Sequence, residues 1–169
     1  DAIVISELGA PLPFLKLTKP SSFMGGLLSG GLGFGLGAGL GAKLAAPQRE
    51  VIVTVGDGSY MFGNPVPYHY VARAGQLPTL TVVANNQSWL AVLQSTLDVC
   101  PDGHAAKFNV MALTELKPSP DYEKVVETCG GRGEKVEGPG DLVPALRRGL
   151  EAVRAGTPVT LNVQTQARR

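Results

Sequence analysis

The pattern of hydrophobic and polar positions divides the chain into short apolar runs separated by amphipathic or turn-rich segments. Runs of aliphatic and β-branched residues bounded by turn formers are typical of buried strands, and apolar residues at helical spacing predict helices. The predicted strands are 2–6, 50–55, 79–84, 133–136 and 159–163. The predicted helices are 64–74, 119–129 and 141–155, and the segments to residue 20 and from 95 to 118 are predicted to be mostly irregular.

Local signals give the predicted helices their ends. Asn64 and Ser119 have side chains suited to cap a helix start, and Pro65 suits the first helical position. In the last helix the apolar residues are expected on one buried side. Those residues are Leu142, Val143, Leu146, Leu150 and Val153.

The alternation of strands and helices predicts an α/β domain, a three-layer sandwich with a mostly parallel central sheet. No internal repeat or linker interrupts residues 1–169, so the sequence predicts one domain. Ligands of such sheets bind beyond the carboxyl ends of the strands, and candidate chemistry is expected there.

Composition and charge narrow the function classes. The chain is 44% hydrophobic and 17% charged with a net charge of +1, which does not favour a nucleic-acid-binding protein. Cys100 and Cys129 lack metal-type spacing and are expected to be reduced thiols. The start of the sequence is strand-like rather than leader-like, which favours a cytoplasmic protein. It has no initiator Met, so a chain cut or processed from a longer one is expected.

A glycine-rich tract covers residues 21–42, where nine residues are glycine and none is charged. Its length suits a membrane span, but its glycine content disfavours a helix there. Residues 37–42 match the GxGxxA fingerprint of a dinucleotide-binding domain, although no predicted strand directly precedes them. A third interpretation, a loop entering a tightly packed helix beside a cofactor, is preferred, and the dinucleotide site stays open as an alternative.

Two polar motifs follow neighbouring predicted strands: GDGS at 56–59 and an asparagine pair at 85–86. The residues between them are enough for a helix and a crossover, so a βαβ unit brings both strand ends together. A carboxylate and an amide oxygen then converge, which suits Mg²⁺ completed by phosphate oxygens and water. Backbone N–H groups and a serine hydroxyl beside them can face phosphate oxygens.

These two motifs together resemble the signature of thiamine diphosphate enzymes of the acetolactate synthase, pyruvate decarboxylase and benzaldehyde lyase superfamily. The resemblance covers nearly the whole chain, and residues 29–36 are similar to the family's loop beside the aminopyrimidine ring. It implies that this chain is the diphosphate-binding domain, with thiamine diphosphate and Mg²⁺ as cofactors.

The resemblance also implies roles for individual residues. Asp57, the Asn86 side chain and the Ser88 backbone carbonyl are expected to bind Mg²⁺. Leu32 is expected to be the apolar wedge that bends the cofactor, and the Gly30 carbonyl to accept a hydrogen bond from its 4′-amino group. The remaining residues expected near the cofactor are Gly31, Gly56, Gly58, Ser59 and Trp89.

Some features depart from the family pattern. The essential glutamate that protonates the aminopyrimidine ring is expected on a pyrimidine-binding domain absent from this chain, so no catalytic residue is assigned. Glu7 is predicted to be structural or peripheral. Leu90 stands where many relatives have glycine, which favours a more crowded substrate side. His69 and His104 are predicted to be core or surface residues rather than proton carriers.

The resemblance implies the activity of the whole enzyme. It would decarboxylate a 2-oxo acid or make or break a C–C bond, as a lyase or transferase. It would work as a homo- or hetero-oligomer with its sites between this domain and a pyrimidine-binding domain or subunit. A nicotinamide-dependent dehydrogenase domain and a non-catalytic module of the same fold remain alternatives, and no nucleic-acid or membrane partner is expected.

Overall fold

The computed structural model describes residues 1–26 and 31–165, which form alternating strands and helices. The strands are β1 (Ile3–Ser6), β2 (Phe23–Gly25), β3 (Val51–Gly56), β4 (Leu80–Asn85), β5 (Arg132–Val136) and β6 (Val159–Gln164). The helices are α1 (Phe34–Ala45), α2 (Asp57–Phe62), α3 (Pro65–Ala74), α4 (Leu90–Val99), α5 (His104–Phe108), α6 (Tyr122–Glu127) and α7 (Pro139–Arg154).

The six strands form one sheet in the order β2-β1-β3-β4-β6-β5, and every neighbouring pair is parallel. The predicted α/β class with a parallel central sheet is therefore confirmed. The short edge strand β2 was not predicted, because it lies inside the glycine-rich tract. Since β3 and β4 are adjacent, the motifs that follow them lie side by side.

Two hydrophobic clusters cover the two faces of the sheet. One contains alternate β3 residues such as Val53 and Val55 together with Leu36 of α1 and Tyr60 of α2. The other packs α7 against β4 and β6. Alternation along each strand sends successive side chains to opposite faces, which builds the three layers.

Helix α1 lies close to the sheet because two of its glycines face β3. A Cβ at Gly35 would come within 3.2 Å of Val55 Cγ1, and a Cβ at Gly39 would overlap Val53 Cγ2. Tight packing by small residues from position 35 onward is as predicted. The GxGxxA match at 37–42 lies inside this helix rather than between a strand and a helix, so the dinucleotide fingerprint lacks its structural context.

The segment 95–118, predicted to be mostly irregular, contains helix α5 and the second half of α4. That prediction was wrong because none of the residues of α4 is buried, so its apolar positions do not mark a core-facing stripe. No helix among the described residues is long and apolar enough to cross a membrane.

Asn64 is the N-cap of α3 and Pro65 its first residue, as predicted, whereas the predicted cap at Ser119 was wrong. Asn64 adopts a left-handed conformation (φ 51°) and makes no side-chain capping bond. Proline at position 67 removes one of the N–H groups that such a cap would reach. Ser119 lies before α6, which begins at Tyr122, and its hydroxyl instead accepts from Asn85 Nδ2 at 2.9 Å.

In α7 one predicted core position was also wrong. Val143 is 55% exposed, whereas Val153 is buried and Leu142, Leu146 and Leu150 pack against the core. Small residues, Ala145 and Gly149, occupy the centre of the buried face instead. The helix approaches the sheet closely there, since a Cβ at Gly149 would come within 2.8 Å of a Leu80 methyl carbon.

Candidate cofactor and metal site

The two motifs meet at the carboxyl ends of β3 and β4. Gly56, the last residue of β3, pairs with Ala84 of β4, so Asp57 begins α2 beside the start of the loop after β4. The GDGS motif is thus a direct strand-to-helix junction. The predicted convergence of a carboxylate and an asparagine side chain is what this register produces.

Asp57 is a buried carboxylate held by backbone donors. Its side chain is 2% exposed, with Oδ1 accepting from Gly58 N at 2.9 Å and Oδ2 from Ser88 N at 3.2 Å. Burial raises the pKa of Asp57 above its ordinary value, although the N–H bonds oppose that shift. A nearby cation stabilises the charged form of a carboxylate that is buried in this way.

Two further oxygens beside Asp57 are buried without a hydrogen-bond partner among the described residues: Ser59 Oγ and Asn86 Oδ1. Buried polar atoms are nearly always satisfied, and an exception calls for an explanation such as a ligand. Both residues line the same cavity as Asp57. A carboxylate and an amide oxygen suit Mg²⁺, and a hydroxyl suits a phosphate oxygen, so the residues present fit the diphosphate and metal that the resemblance implies.

The loop after β4 is braced from both sides. Trp89 N donates to Thr114 O at 2.8 Å, and Leu116 N donates to Gln87 O at 2.8 Å. The Trp89 indole lies on Gly58, where a Cβ would be only 2.5 Å from Trp89 Cε3. Glycine at position 58 is therefore required for the two motifs to approach each other this closely.

Glu7 binds the start of α1, which lies in the glycine-rich tract, and also lines the larger cavity. The carboxylate of Glu7 accepts from Gly33 N at 2.7 Å and from Gly35 N at 2.8 Å, at the start of α1. These bonds satisfy N–H groups that have no partner within the helix. The negative charge of the carboxylate also suits the partial positive charge at the start of a helix. The predicted structural role of Glu7 agrees with this geometry. Gly30 lies outside the described residues.

Two adjoining cavities of about 390 and 680 Å³ contain the predicted site residues. The smaller cavity is lined by the two motifs, and the larger by residues of the glycine-rich tract and of α4; Leu32 lines both. The predicted residues in the smaller cavity are Gly56, Asp57, Gly58, Ser59, Asn86, Ser88 and Trp89. Gly31 lines the larger cavity, and Leu90 lines the smaller one.

Some cavity residues were not predicted from the sequence. Leu8, Ala91 and Val92 line both cavities. Leu8 comes from a segment predicted only as a loop, and the other two come from α4, for which no helix was predicted. These residues are apolar like many others in the chain, so the sequence alone did not indicate that they line a cavity.

The histidines and Cys129 line neither cavity, whereas Cys100 lies at the edge of the larger one. His69 is 1% exposed with Nε2 2.7 Å from Tyr60 Oη, and burial lowers its pKa to about 4. His104 is exposed and stacks on Phe108. Both therefore agree with the predicted core or surface role, and Cys100 and Cys129 are free thiols.

Comparison with known families agrees with the motifs. Residues 9–163 match the model described as thiamine pyrophosphate enzyme, C-terminal TPP binding domain, thiamine pyrophosphate being another name for thiamine diphosphate. The acetolactate synthase large subunit IlvG of Mycobacterium tuberculosis is 37% identical over 121 residues, covering 72% of this chain and 20% of that protein. The 2-hydroxyacyl-CoA lyase of Oryza sativa subsp. japonica is 31% identical over 119 residues, 70% of this chain and 19% of that protein.

Solved structures give the same fold. The thiamine diphosphate-dependent 4-hydroxybenzoylformate decarboxylase of Rhodococcus jostii RHA1 superposes with a TM-score of 0.81 at 27% identity, covering 99% of this chain and 30% of that one. The benzoylformate decarboxylase of Polynucleobacter necessarius, at 21% identity and a TM-score of 0.74, supports the fold alone. The chain spans about one fifth of the length of its curated relatives. It belongs to the thiamine pyrophosphate enzyme family, of which it is the C-terminal cofactor-binding domain.

Proposed function

We propose that this chain anchors the diphosphate of thiamine diphosphate and its Mg²⁺ in the smaller cavity. The observation that carries the proposal is the convergence of the Asp57 carboxylate with two buried oxygens, Asn86 Oδ1 and Ser59 Oγ, which have no hydrogen-bond partner in the described part of the chain. Asp57, Asn86 and the Ser88 carbonyl would hold the metal. Ser59 and the backbone at the start of α2 would bind phosphate oxygens.

The larger cavity would receive the rings of the cofactor. Leu32 lines both cavities, which supports its proposed role as the wedge between the diphosphate end and the ring end. When bound, the cofactor supplies a nucleophilic carbon and an electron sink. This chain's contribution is to bind, bend and orient it.

The whole enzyme is proposed to act on a small 2-oxo acid, by decarboxylation or by making or breaking a C–C bond. Relatives that include an acetolactate synthase and a 2-hydroxyacyl-CoA lyase support this proposal. A pyrimidine-binding domain or subunit would supply the essential glutamate and complete the site in an oligomer. A cytoplasmic location is part of the same proposal.

Calorimetric titration of the chain with thiamine diphosphate tests the anchoring site. With Mg²⁺ present we expect saturable binding that EDTA abolishes. Asp57→Asn keeps the shape of the side chain but removes its charge, and losing about 3 kcal/mol from a charged contact weakens binding by about 100-fold. Asp98→Asn, at an exposed carboxylate on α4, is the charge-matched control and should bind normally.

Four outcomes are informative. Metal-dependent binding lost only in Asp57→Asn supports the proposal. Equal binding by both variants contradicts the assignment of Asp57. Binding of NADH without Mg²⁺ would favour the dehydrogenase alternative, and absence of thiamine diphosphate binding even with an added pyrimidine-binding domain would favour a non-catalytic module.

A further inference from the structure

A row of hydrogen bonds between buried side chains runs from α6 through β6 and β4 to the loop after β4. Asn162 Nδ2 donates to Glu123 Oε2 at 2.7 Å, and Asn85 Nδ2 donates to Asn162 Oδ1 at 3.0 Å. The backbone N–H of Gln87 then donates to Asn85 Oδ1 at 3.1 Å. We call Glu123, Asn162 and Asn85 the amide ladder; Asn85 and Asn162 are fully buried and Glu123 is 6% exposed.

The carboxylate at one end sets the direction of the whole ladder. A carboxylate only accepts hydrogen bonds, so Asn162 must turn its amide nitrogen toward Glu123. The oxygen of Asn162 then faces Asn85, which leaves the oxygen of Asn85 for Gln87. A buried polar network of this kind specifies one arrangement because each wrong orientation leaves a buried group unsatisfied.

The end of the ladder is a backbone position that needs support. Gln87 has φ 60°, in the left-handed region, which costs a residue with a side chain about 1–2 kcal/mol. Its N–H bond to Asn85 stabilises that conformation. Gln87 lies between Asn86, which lines the smaller cavity and whose buried Oδ1 has no partner among residues 1–26 and 31–165, and Ser88, whose N–H donates to Asp57.

We propose that Glu123, Asn162 and Asn85 are positioning residues that hold this loop in the conformation that presents Asn86 and Ser88 to the metal. Glu123 and Asn162 line neither cavity and act only through Asn85. The value of the ladder for metal binding rests on the proposed function. Its control of the loop does not, and the two can be tested separately.

An exchange of donor and acceptor tests the ladder. Asn162→Asp places two carboxylates face to face, which removes a donor and adds repulsion. In the double variant Glu123→Gln/Asn162→Asp the new amide at 123 donates to the new carboxylate at 162, whose other oxygen still accepts from Asn85. The double variant keeps the charge and restores every bond with the roles reversed.

Two measurements on the cofactor-free chain report on the conformation of the loop after β4. Hydrogen exchange of the Gln87 amide measures the last bond of the ladder, and emission of Trp89, the chain's one tryptophan, measures the packing of the loop on α2. In Asn162→Asp we expect Gln87 exchange at least about tenfold faster, since about 1.4 kcal/mol of lost protection gives tenfold, with shifted Trp89 emission. In the double variant both should return to wild type, with exchange within about twofold.

A control separates loop control from general loss of stability. Tyr68 Oη bonds Thr79 Oγ1 and Thr81 Oγ1 at 2.6 and 2.9 Å, around the start of β4 rather than at its carboxyl end. Tyr68→Phe should lower the free energy of unfolding without moving Trp89 emission. Unchanged Gln87 exchange in Asn162→Asp, or a double variant as loose as the single one, would overturn the proposal. If Asn162→Asp does not fold, the double variant decides alone, by folding with a wild-type loop or failing to.

Titration with Mg²⁺ and thiamine diphosphate then tests the consequence for the metal. Loss of an outer partner of a metal ligand typically weakens affinity by about 10–100-fold. We expect a loss of that size in Asn162→Asp and recovery in the double variant. In one outcome the loop loosens in Asn162→Asp and recovers in the double variant, while the wild-type chain binds no Mg²⁺. That result would support the ladder and contradict the proposed function instead.

Discussion

Replacing Gly58 by alanine probes how closely the two motifs pack. The added Cβ would lie 2.5 Å from Cε3 and 2.8 Å from Cζ3 of Trp89. Carbon atoms in contact prefer about 3.5–4.0 Å, so the indole must move by about 1 Å. The main chain that carries the indole is held in place, because Trp89 N is bonded to Thr114 O and Ser88 N to Asp57 Oδ2.

Gly58→Ala is expected to lower both the stability of the chain and its affinity for the cofactor. Forcing a methyl group into a packed region costs about 1–3 kcal/mol, and alanine in place of glycine in a helix returns at most about 1 kcal/mol. The free energy of unfolding should therefore fall by about 0–3 kcal/mol. Movement of Trp89 also displaces Ser88 from Asp57, and a further 1.4 kcal/mol or so lost from binding weakens affinity for the Mg²⁺ complex of thiamine diphosphate by about tenfold.

Urea unfolding and calorimetry separate these two effects. Gly37→Ala is the matched control, because a Cβ there meets no atom within 4 Å; it should raise stability by up to about 1 kcal/mol and leave affinity unchanged. Adding Trp89→Phe, which removes the six-membered ring that Gly58→Ala strikes, should recover part of the affinity. Wild-type affinity and unchanged Trp89 emission in Gly58→Ala would refute the reasoning.

Two further predictions concern the core. Gly39→Ala overlaps Val53 Cγ2, so it should lower the free energy of unfolding by up to about 2 kcal/mol, whereas Gly37→Ala on the same helix should raise it; equal effects in urea unfolding would contradict this packing of α1. The pKa of His69 is lowered from 6.5 to about 4, so the unfolded chain takes up a proton that the folded chain rejects. Stability should be constant above about pH 6.5 and fall by about 3 kcal/mol between there and pH 4. His69→Gln should flatten this decline in urea unfolding, whereas His104→Gln, at an exposed position, should not.

The sequence was informative wherever a residue's role depends on its neighbours along the chain. The strands that carry the motifs at 56–59 and 85–86 are short runs of aliphatic residues, and their end residues are polar or glycine. A parallel sheet with adjacent strands follows from that pattern, and so does the meeting of Asp57 with Asn86. The glycines of α1 likewise indicated close packing before any contact was known.

Other features depend on partners distant in the sequence. Asn85 forms part of a recognisable pair, but its bonds reach Asn162 and Ser119, which lie 77 and 34 positions away in the sequence. Ser119 does not cap α6, and its hydroxyl accepts this hydrogen bond from Asn85 instead. Helix α4 was missed because its apolar residues face cavities, and hydrophobic periodicity predicts a helix best when one side is buried in the core.

The central claim is that the cavity at the ends of β3 and β4 holds the metal and the diphosphate. Crystals of the chain grown with thiamine diphosphate and Mn²⁺ in place of Mg²⁺ test it most directly, because an anomalous difference map locates the metal. The account predicts one peak in direct coordination, at about 2 Å from both an Asp57 carboxylate oxygen and Asn86 Oδ1, with the diphosphate beside Ser59. A peak away from both residues, or bound cofactor with no metal at this place, would contradict it.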